Sequence, residues 1–357
     1  MKTSIINIII SISVICSLSF NLYAQTDSTK IKKRFLYTIA YNELSDSSKI
    51  PLLGFVNIAG RNHMGLQLGF VNITNKNFKG LQLGFIDITK GNLDGSQIGF
   101  LNFGSKSVQG LQLGFGNHCK QYLDGSQIGF FNQVRNKFTG IQAGFVNEVK
   151  DSTNGVQIGF VNETRKNTKG LQSGFINETK GKMRGWQVGF LNVADTIEKG
   201  VPIGFFSFIK KGGYRAVEIS CNELYPINVS FKTGVPILYS IIQGSFYSHY
   251  KNQFAMGTGL GSLVQLSGNL CLNPEAIFHS SFRSDNFNAT SLTMNLRYSL
   301  NSNLQLAAGL SVVQLNYPKD GYQEPSFKVS RFEINDRNSF IIGARVAVTY
   351  SFTELKK

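Results

Sequence analysis

The chain has 357 residues and a formal net charge of +15, with 42% hydrophobic residues and only seven prolines. This composition excludes a disordered low-complexity protein, and the four widely spaced cysteines exclude a disulfide framework. The excess of basic residues fits an anionic lipid or polysaccharide better than nucleic acid, because the N-terminus indicates export.

Residues 1–24 are a predicted signal peptide. An apolar run from Ile5 to Phe20 follows Met-Lys, and Leu22-Tyr23-Ala24 supplies cleavage chemistry just before Gln25. No later apolar run is long, so we expect no transmembrane helix. The segment 25–49 that follows contains a first predicted strand, from residue 34 to residue 44.

The cysteines are expected to be free thiols. A lipidation site at Cys16 fits poorly, because Ser13-Val14-Ile15 lacks the small residues that such a site needs. The mature chain would then keep an odd number of scattered cysteines: Cys119, Cys221 and Cys271.

Eleven tandem units of fifteen residues occupy residues 50–214, with no insertion or deletion. The full units read G-x-Q-x-G-F-x-N, except that Asp87 and Ser207 replace the Asn and Pro202 replaces the last Gln. Period-two alternation in this stretch predicts a strand. A polar tetrad with the composition of a turn follows. The constant positions of the first two full units are Gly65, Gln67, Gly69, Phe70, Asn72, Gln82, Gly84 and Phe85.

Two pairings of successive units account for the constant residues. In an antiparallel meander Gln67 lies opposite Gly84, which leaves room for the long amide, and Phe70 meets Leu81 as an apolar cross-strand pair. In a parallel β-solenoid each residue stacks on its own copy in the next unit, which gives ladders of Phe, Gln and Asn.

Residues 215–357 favour the meander. About eight candidate strands run from Tyr214 to Phe352, and stretches such as Leu292 to Leu300 alternate apolar with polar residues. Long alternating strands that end in an aromatic residue near the C-terminus are typical of outer-membrane β-barrels.

We therefore predict an all-β chain, an antiparallel outer-membrane-type β-barrel or meander in which the fifteen-residue repeats supply successive strands. The alternative is a β-solenoid of repeats joined to a small eight-stranded C-terminal barrel. Three outward apolar positions per unit favour this alternative, since they cover about half of the roughly 25 Å lipid-facing band.

The tandem G-x-Q-x-G-F-x-N units behind a signal peptide resemble bacterial surface-repeat proteins, over nearly half of the chain. The C-terminal part resembles outer-membrane barrels more generally. The resemblance implies export to the cell envelope of a Gram-negative-type bacterium, at its outer membrane or cell surface. It implies no reaction, cofactor or ligand.

No catalytic, cofactor-binding or metal-binding constellation is expected. The histidines are isolated from one another, and a recurring glutamate fits a solvated charge row better than an acid–base pair. The segment 316–338 is a candidate extracellular loop. The histidines are His63, His118, His249 and His279, and the row is Glu148, Glu163 and Glu178.

The expected function is that of a non-enzymatic outer-membrane barrel protein, structural or pore-forming, with membrane lipid as its surroundings. The alternative is a surface-exposed repeat scaffold that binds an anionic lipid, polysaccharide, lipopolysaccharide phosphate or protein partner. Eighteen basic residues against nine acidic ones in residues 50–214, many of them in turns, motivate this second hypothesis.

Overall fold

The computed structural model describes residues 36–38, 40–247, 253–281, 288–316, 330–335 and 338–353. Every regular element in these ranges is a strand, which confirms the all-β class. The predicted signal peptide, His249 and most of the candidate loop lie outside the described residues.

Within the described part of the chain the repeat region forms eighteen strands, in which each fifteen-residue coil generally contributes a longer and a shorter strand. They are β1 (Leu36–Tyr37), β2 (Tyr41–Leu44), β3 (Leu52–Leu53), β4 (Val56–Ala59), β5 (His63–Leu68), β6 (Val71–Thr74), β7 (Phe78–Leu83), β8 (Ile86–Thr89), β9 (Leu93–Ile98), β10 (Leu101–Gly104), β11 (Val108–Leu113), β12 (Gly116–Cys119), β13 (Leu123–Ile128), β14 (Phe131–Val134), β15 (Phe138–Val149), β16 (Thr153–Thr164), β17 (Thr168–Ser173) and β18 (Ile176–Lys211).

These strands pair in parallel and in register, so residues 36–211 form a β-solenoid. Gln67 lies beside Gln82, not opposite Gly84, and Gly65 lies beside Gly80. The chain thus adopts the second predicted architecture, and the antiparallel pairing of repeats was wrong. Parallel in-register stacking is favoured because each Gln or Asn side-chain amide can hydrogen-bond the equivalent amide of the next coil.

The solenoid begins before the first recognised repeat. The predicted strand at residues 34–44 corresponds in the structure to the short strands β1 and β2. β2 pairs in parallel with β4, which places Asn42 beside Asn57. The segment before residue 50 therefore supplies a coil that shares the phase of the repeats.

Each coil turns two corners. One corner is the constant Gly-Phe pair, for example Gly69 and Phe70, and the other is the polar turn, for example residues 75–77. The first glycine of each unit adopts positive φ, +132° at Gly110, and a Cβ there would collide with the carbonyl of Gly95 in the preceding coil. Only glycine meets both requirements.

The interior of the solenoid is narrow and half polar. Each full coil turns a Gln and an Asn inward, together with one side chain from the end of the short strand and one from the start of the long strand. Side chains of the last two kinds form a buried apolar cluster: Phe78, Leu93, Val108, Cys119, Leu123, Val134, Phe138 and Val149.

The C-terminal region supplies the remaining strands of the described residues. They are β19 (Tyr214–Cys221), β20 (Ile227–Val235), β21 (Leu238–Tyr247), β22 (Gln253–Gly261), β23 (Val264–Ser267), β24 (Leu270–Ser281), β25 (Asn288–Ser299), β26 (Leu304–Asn316), β27 (Ser330–Asn335) and β28 (Asn338–Ser351).

Eight of these ten described strands close into an antiparallel barrel in the order β19-β20-β21-β22-β24-β25-β26-β28. β19 pairs with β28, so that Val217 lies beside Tyr350 and the sheet has no free edge there. The short β23 and β27 pair with β24 and β28 at the ends of the barrel.

The last coil of the solenoid packs against the barrel wall. The amide of Ser207 donates to Oγ1 of Thr233 at 3.1 Å, and the hydroxyl of Ser240 donates to the carbonyl of Gly204. Val235 of β20 covers the end of the solenoid interior, where it packs on Ile209 and its apolar neighbours.

Candidate functional site

The constant phenylalanines form one continuous stack on the outside of the solenoid. Neighbouring rings are 4.8–5.3 Å apart between centroids and 0–10° apart in plane. Each ring is 36–57% exposed. The stacked residues are Phe55, Phe70, Phe85, Phe100, Phe115, Phe130, Phe145, Phe160, Phe175, Phe190 and Phe205.

Apolar residues flank this stack on both sides. From the first glycine of the motif to the residue before its Asn, no full unit contains a Lys, Arg, Asp or Glu. We call this long, charge-free border of the solenoid the Phe edge. The opposite border, formed by the polar turns and the residues beside them, is called the turn edge.

Behind the Phe edge, the glutamines form a buried hydrogen-bonded column. Nε2 of each Gln donates to Oε1 of the Gln one coil earlier, as Gln82 does to Gln67 at 2.6 Å and Gln187 does to Gln172 at 2.8 Å. Several of the same Nε2 atoms also donate to backbone carbonyls, which fixes the amide orientation.

The asparagines form a second column that runs the opposite way. Nδ2 of Asn72 donates to the next coil, as do Nδ2 of Asn57 and of Asn102, and each also donates to a backbone carbonyl eleven residues later. Because the Gln donors point toward the N-terminus and the Asn donors toward the C-terminus, the two rows of amide dipoles oppose each other.

Asp87 replaces asparagine in the second column and interrupts it. Its Oδ1 accepts from Asn72 at 2.7 Å, whereas Oδ2 of Asp87 and Oδ1 of Asn102 have no hydrogen-bond partner. Burial raises the pKa of Asp87 to about 7, although hydrogen bonds from Asn72 and Gly84 oppose the shift. A proton on Oδ2 would supply the missing donor to Asn102.

The glutamate row, which was predicted to be solvated, is a ladder of ion pairs between coils in which Glu148 and Glu163 are buried, with 8% and 5% exposure. Arg165 contacts Glu148 at 2.8 Å and Glu163 at 3.3 Å, and Lys180 contacts Glu163 at 2.9 Å and Glu178 at 3.7 Å. Alternation of charge lets the glutamates stack without repulsion, and no acid–base pair is formed.

The basic residues of the repeats collect along the turn edge because every coil has the same length. They are largely exposed, and Lys79, Lys166 and Lys182 each retain over 60% of their side-chain surface. Several have an acidic partner, such as Asp94 for Lys79, but bases outnumber acids in residues 50–214 by eighteen to nine.

The barrel has the opposite polarity to a soluble protein. In β25 the residues alternate between buried and exposed, and the exposed ones are apolar, such as Leu292, Met294 and Leu296. The same pattern covers β26 and β28. An apolar surface therefore surrounds the wall of the barrel.

Five charged side chains form an ion-paired cluster in the barrel interior. Lys232 contacts Glu218 at 2.7 Å and Glu275 at 2.5 Å, Arg297 contacts Glu218 at 2.7 Å, and Arg345 bridges both glutamates. All five are at most 2% exposed in their side chains.

Polar neighbours complete this ionic cluster. Tyr239 donates to Glu275 at 2.6 Å, Thr349 donates to Glu218 at 2.6 Å, and Arg297 donates to Asn273 at 2.7 Å. Because a buried ion pair needs such additional hydrogen bonds, the cluster is a packed cross-brace between β19, β20, β24, β25 and β28.

No group of three or more His, Cys, Asp and Glu side chains suited to a metal exists in the described ranges. His118 and Cys119, adjacent in sequence, point to opposite sides of β12, and the thiol donates to the carbonyl of Tyr122 at 3.2 Å. The three described cysteines are free, with Cys119 and Cys271 buried and Cys221 exposed.

The structure brings the predicted repeat positions together, each in a column of its own copies. Sequence reasoning missed Asn42, although it holds the phase of Asn57, and missed the exceptional state of Asp87. The alternation that it found from Leu292 to Leu300 includes Arg297, but it did not predict that Arg297 and Arg345 meet Glu218. The sequence signal that could have found these residues is a charged residue at a position that alternates with the apolar, outward-facing residues of a strand.

No protein-family profile, no curated protein and no solved structure matches this chain. Among the described residues, none forms a helix long and apolar enough to cross a membrane.

Replacing Asp87 by asparagine should stabilise the solenoid at neutral and higher pH. Since the pKa is raised in the folded chain, the wild type should lose stability as pH rises from about 4 to about 7, by about 1.4 kcal/mol per pKa unit. D87N should remove this loss and restore the column. Thermal unfolding of the full chain, followed by circular dichroism at pH 4 and pH 8, measures both effects.

Asp94→Asn is the matched control, since Asp94 lies on the surface and pairs only with Lys79. It should change stability by less than about 0.5 kcal/mol at either pH. Equal effects of D87N at both pH values would contradict a protonated Asp87.

Proposed function

We propose that this protein is a non-enzymatic outer-membrane anchor, whose barrel spans the bilayer and holds the β-solenoid at one end. The observation that carries the proposal is the reversed polarity of the barrel, with apolar residues outside and an ionic cluster inside. A closed barrel satisfies its backbone hydrogen bonds internally, as a hydrocarbon environment requires.

The strand lengths support a spanning role. A tilted strand needs about 9–11 residues to cross the hydrocarbon core. β25, β26 and β28 contain 12, 13 and 14 residues, and β20 and β22 contain 9 each. Outward residues of β25 remain apolar over the whole span from Leu292 to Leu300.

The filled interior favours an anchor over a pore. Arg297 reaches across the barrel to Glu218 and Arg345 to Glu275, and Tyr239 and Asn273 pack beside them. Eight-stranded barrels have an interior just wide enough for side chains to fill. Ions would have to break the ion pairs of this cluster to pass.

Connection lengths suggest an orientation. At the solenoid end, residues 236–237 and 300–303 make tight connections and residues 262–269 make a longer one, whereas at the other end β26 stops at Asn316 and the chain is next described at Ser330 of β27. In bacterial barrels the short turns face the periplasm and the longer loops face outward. We therefore place the solenoid on the periplasmic side.

A second candidate function concerns the turn edge. Stacking brings bases from successive coils, among them Lys106, Lys120 and Arg135, onto one border. Rows of exposed cations with this spacing suit an anionic polysaccharide, which would bind through many weak, salt-sensitive contacts. The anchored solenoid would then be a scaffold that holds such a polymer near the membrane.

Arginine substitution should reveal the lipid-facing band through its dependence on depth. Leu292 lies near the middle of β25 and Leu300 just beyond its end, and both are exposed. Leu292→Arg should cost about 2–4 kcal/mol on insertion and Leu300→Arg about 0–1. The fraction of refolded protein that floats with phosphatidylethanolamine–phosphatidylglycerol vesicles measures insertion.

Equal insertion of the two arginine variants would contradict a spanning barrel. The same vesicles carrying wild-type protein should also hold a potassium gradient as long as protein-free vesicles do. A leak proportional to inserted protein would favour the pore over the anchor.

The orientation predicts which end reacts with a membrane-impermeant maleimide in cells of a Gram-negative host. Native Cys221 lies at the barrel end away from the solenoid and is exposed, so it should be labelled in intact cells. A Lys106→Cys substitution combined with Cys221→Ser should be labelled only after the outer membrane is permeabilised. Labelling of Lys106→Cys in intact cells would place the solenoid outside.

Binding to an anionic polysaccharide should depend on the turn edge. Lys106→Gln, Lys120→Gln and Arg135→Gln together should lower the affinity for alginate several-fold at about 50 mM salt, with little difference at about 0.5 M. Ser107→Ala, Gln121→Ala and Asn136→Ala are the matched uncharged control in the same turns. An affinity for alginate that changes neither with salt concentration nor in the triple Gln variant would contradict this candidate function.

A further inference from the structure

The Phe edge exposes more apolar surface than a soluble protein usually shows. Each of eleven rings leaves about two fifths of its surface bare, on the order of 80 Å² per ring. The stack alone therefore exposes several hundred Å², and the largest patches of soluble monomers are about 300–600 Å². A surface of this kind needs an occupant.

The contact between solenoid and barrel shows which way the Phe edge faces. Thr233 and Ser240 are partners across β20 and β21, so they lie at one level of the wall. Gly204 and Ser207 bind at that level; Gly204 belongs to the Gly-Phe corner and Ser207 lies two residues beyond Phe205. The coil thus crosses the two strands with its Phe corner at the level of Thr233.

Val235 lies two residues closer to the end of the barrel and contacts a different part of the coil. Its neighbours Met183, Ala194 and Ile209 are the inward side chains nearest the turn edge. Along β20, the position nearer the end of the barrel therefore contacts the turn-edge side of the last coil, and the position nearer the middle contacts the Phe-edge side. The Phe edge must face the middle of the barrel.

The bare apolar wall begins directly beyond this contact. Along the outward face of β20, exposure is 51% at Ile227 and 50% at Val229, but 2% at Thr233 and 7% at Val235. The solenoid covers only the last outward positions. The Phe edge thus begins where the bare apolar surface of the wall ends.

The stack runs away from the wall, because each coil lies on the previous one and the last coil lies against β20 and β21. Ten steps of 4.8–5.3 Å make it about 50 Å long. The Phe stack leaves the barrel wall near the solenoid end of the barrel, and its exposed rings face the middle of the barrel. If the barrel spans a bilayer, the stack therefore lies along the leaflet on the solenoid side.

We infer that the Phe edge is a second membrane-binding surface, which lies in the interface of the leaflet that surrounds the solenoid end of the barrel. This inference rests on the proposed spanning barrel. Phenylalanine and aliphatic side chains enter the boundary between headgroups and acyl chains, as the apolar face of an interfacial amphipathic element does. The charged turn edge points away from the bilayer.

Single-tryptophan quenching tests the inference. Trp186 is the only tryptophan of the chain, so Trp186→Phe gives a silent background. Phe115→Trp, with Phe160→Trp as a second site, reports on the Phe edge. Tyr122→Trp reports on the turn edge and Leu292→Trp on the barrel wall. Each variant is reconstituted in phosphatidylethanolamine–phosphatidylglycerol vesicles with or without doxyl-labelled phospholipid.

The expected result is at least two-fold stronger lipid quenching at Phe115→Trp and Phe160→Trp than at Tyr122→Trp, with Leu292→Trp also quenched. Aqueous acrylamide should give the reverse order for the two edges. The inference would be overturned if lipid quenched both Phe-edge probes no more than Tyr122→Trp. If Leu292→Trp were still quenched in that case, the barrel proposal would remain intact.

Two other outcomes also overturn the inference. An unquenched Leu292→Trp would show that the barrel is not in lipid, which removes the proposed function as well. Phe-edge probes shielded from both quenchers, together with a doubled mass in nanodiscs, would show that a second copy of the chain covers the stack.

Discussion

In-register parallel stacking of fifteen-residue coils is the constraint on which the repeat region depends. Backbone bonds such as Phe70 N–H to the carbonyl of Phe55, at 2.8 Å, hold each coil on the one before. Each side chain then lies on the equivalent side chain of the neighbouring coil. Each position therefore accepts only residue types whose identical copies can stack without a clash or charge repulsion. Phe stacks, Gln and Asn both donate and accept, and Gly leaves room for the neighbouring backbone.

The same constraint explains the exceptions. A buried carboxylate fits poorly in an amide column, and burial accordingly raises the pKa of Asp87 to about 7, which favours the protonated form that its neighbours can accommodate. On the outside, glutamates recur only where Arg165 and Lys180 stand between them. The two ends of the Gln column remain unsatisfied, since Nε2 of Gln67 and Oε1 of Gln187 have no hydrogen-bond partner. The barrel wall closes the C-terminal end through Val235.

Most of the elements followed from the sequence, but the direction of pairing did not. Strand, turn and phase were predictable because Gly65, Gln67 and Phe70 keep a fixed spacing. The antiparallel register explained these residues equally well, since a glycine opposite each glutamine would give the amide room, whereas in the structure the glycine leaves room for the backbone of the neighbouring coil. The invariant Gly-Phe pair marks a corner rather than a strand centre, and periodicity alone does not distinguish the two.

The barrel was predictable for a different reason. Alternation in β25 and β28 reports the environment of each strand directly, because one face meets the surroundings. The ionic cluster joins Glu218 to Arg345 across 127 residues, and the contact of Thr233 with Ser207 joins two modules. Such pairings depend on three-dimensional closure, for which a single sequence holds no local signal.

Polarity links the two modules. The barrel buries Lys and Arg while exposing Leu, and the solenoid buries Gln and Asn while exposing Phe. The amide columns of the solenoid and the ionic cluster of the barrel pair most of these buried groups with one another. Charge reaches the surface of the repeats chiefly along one border. Because Thr233 and Val235 fix how the last coil meets the wall, that border has a fixed direction relative to the barrel. The repeats therefore extend a surface of defined polarity about 50 Å from the wall, which a flexible tether could not do.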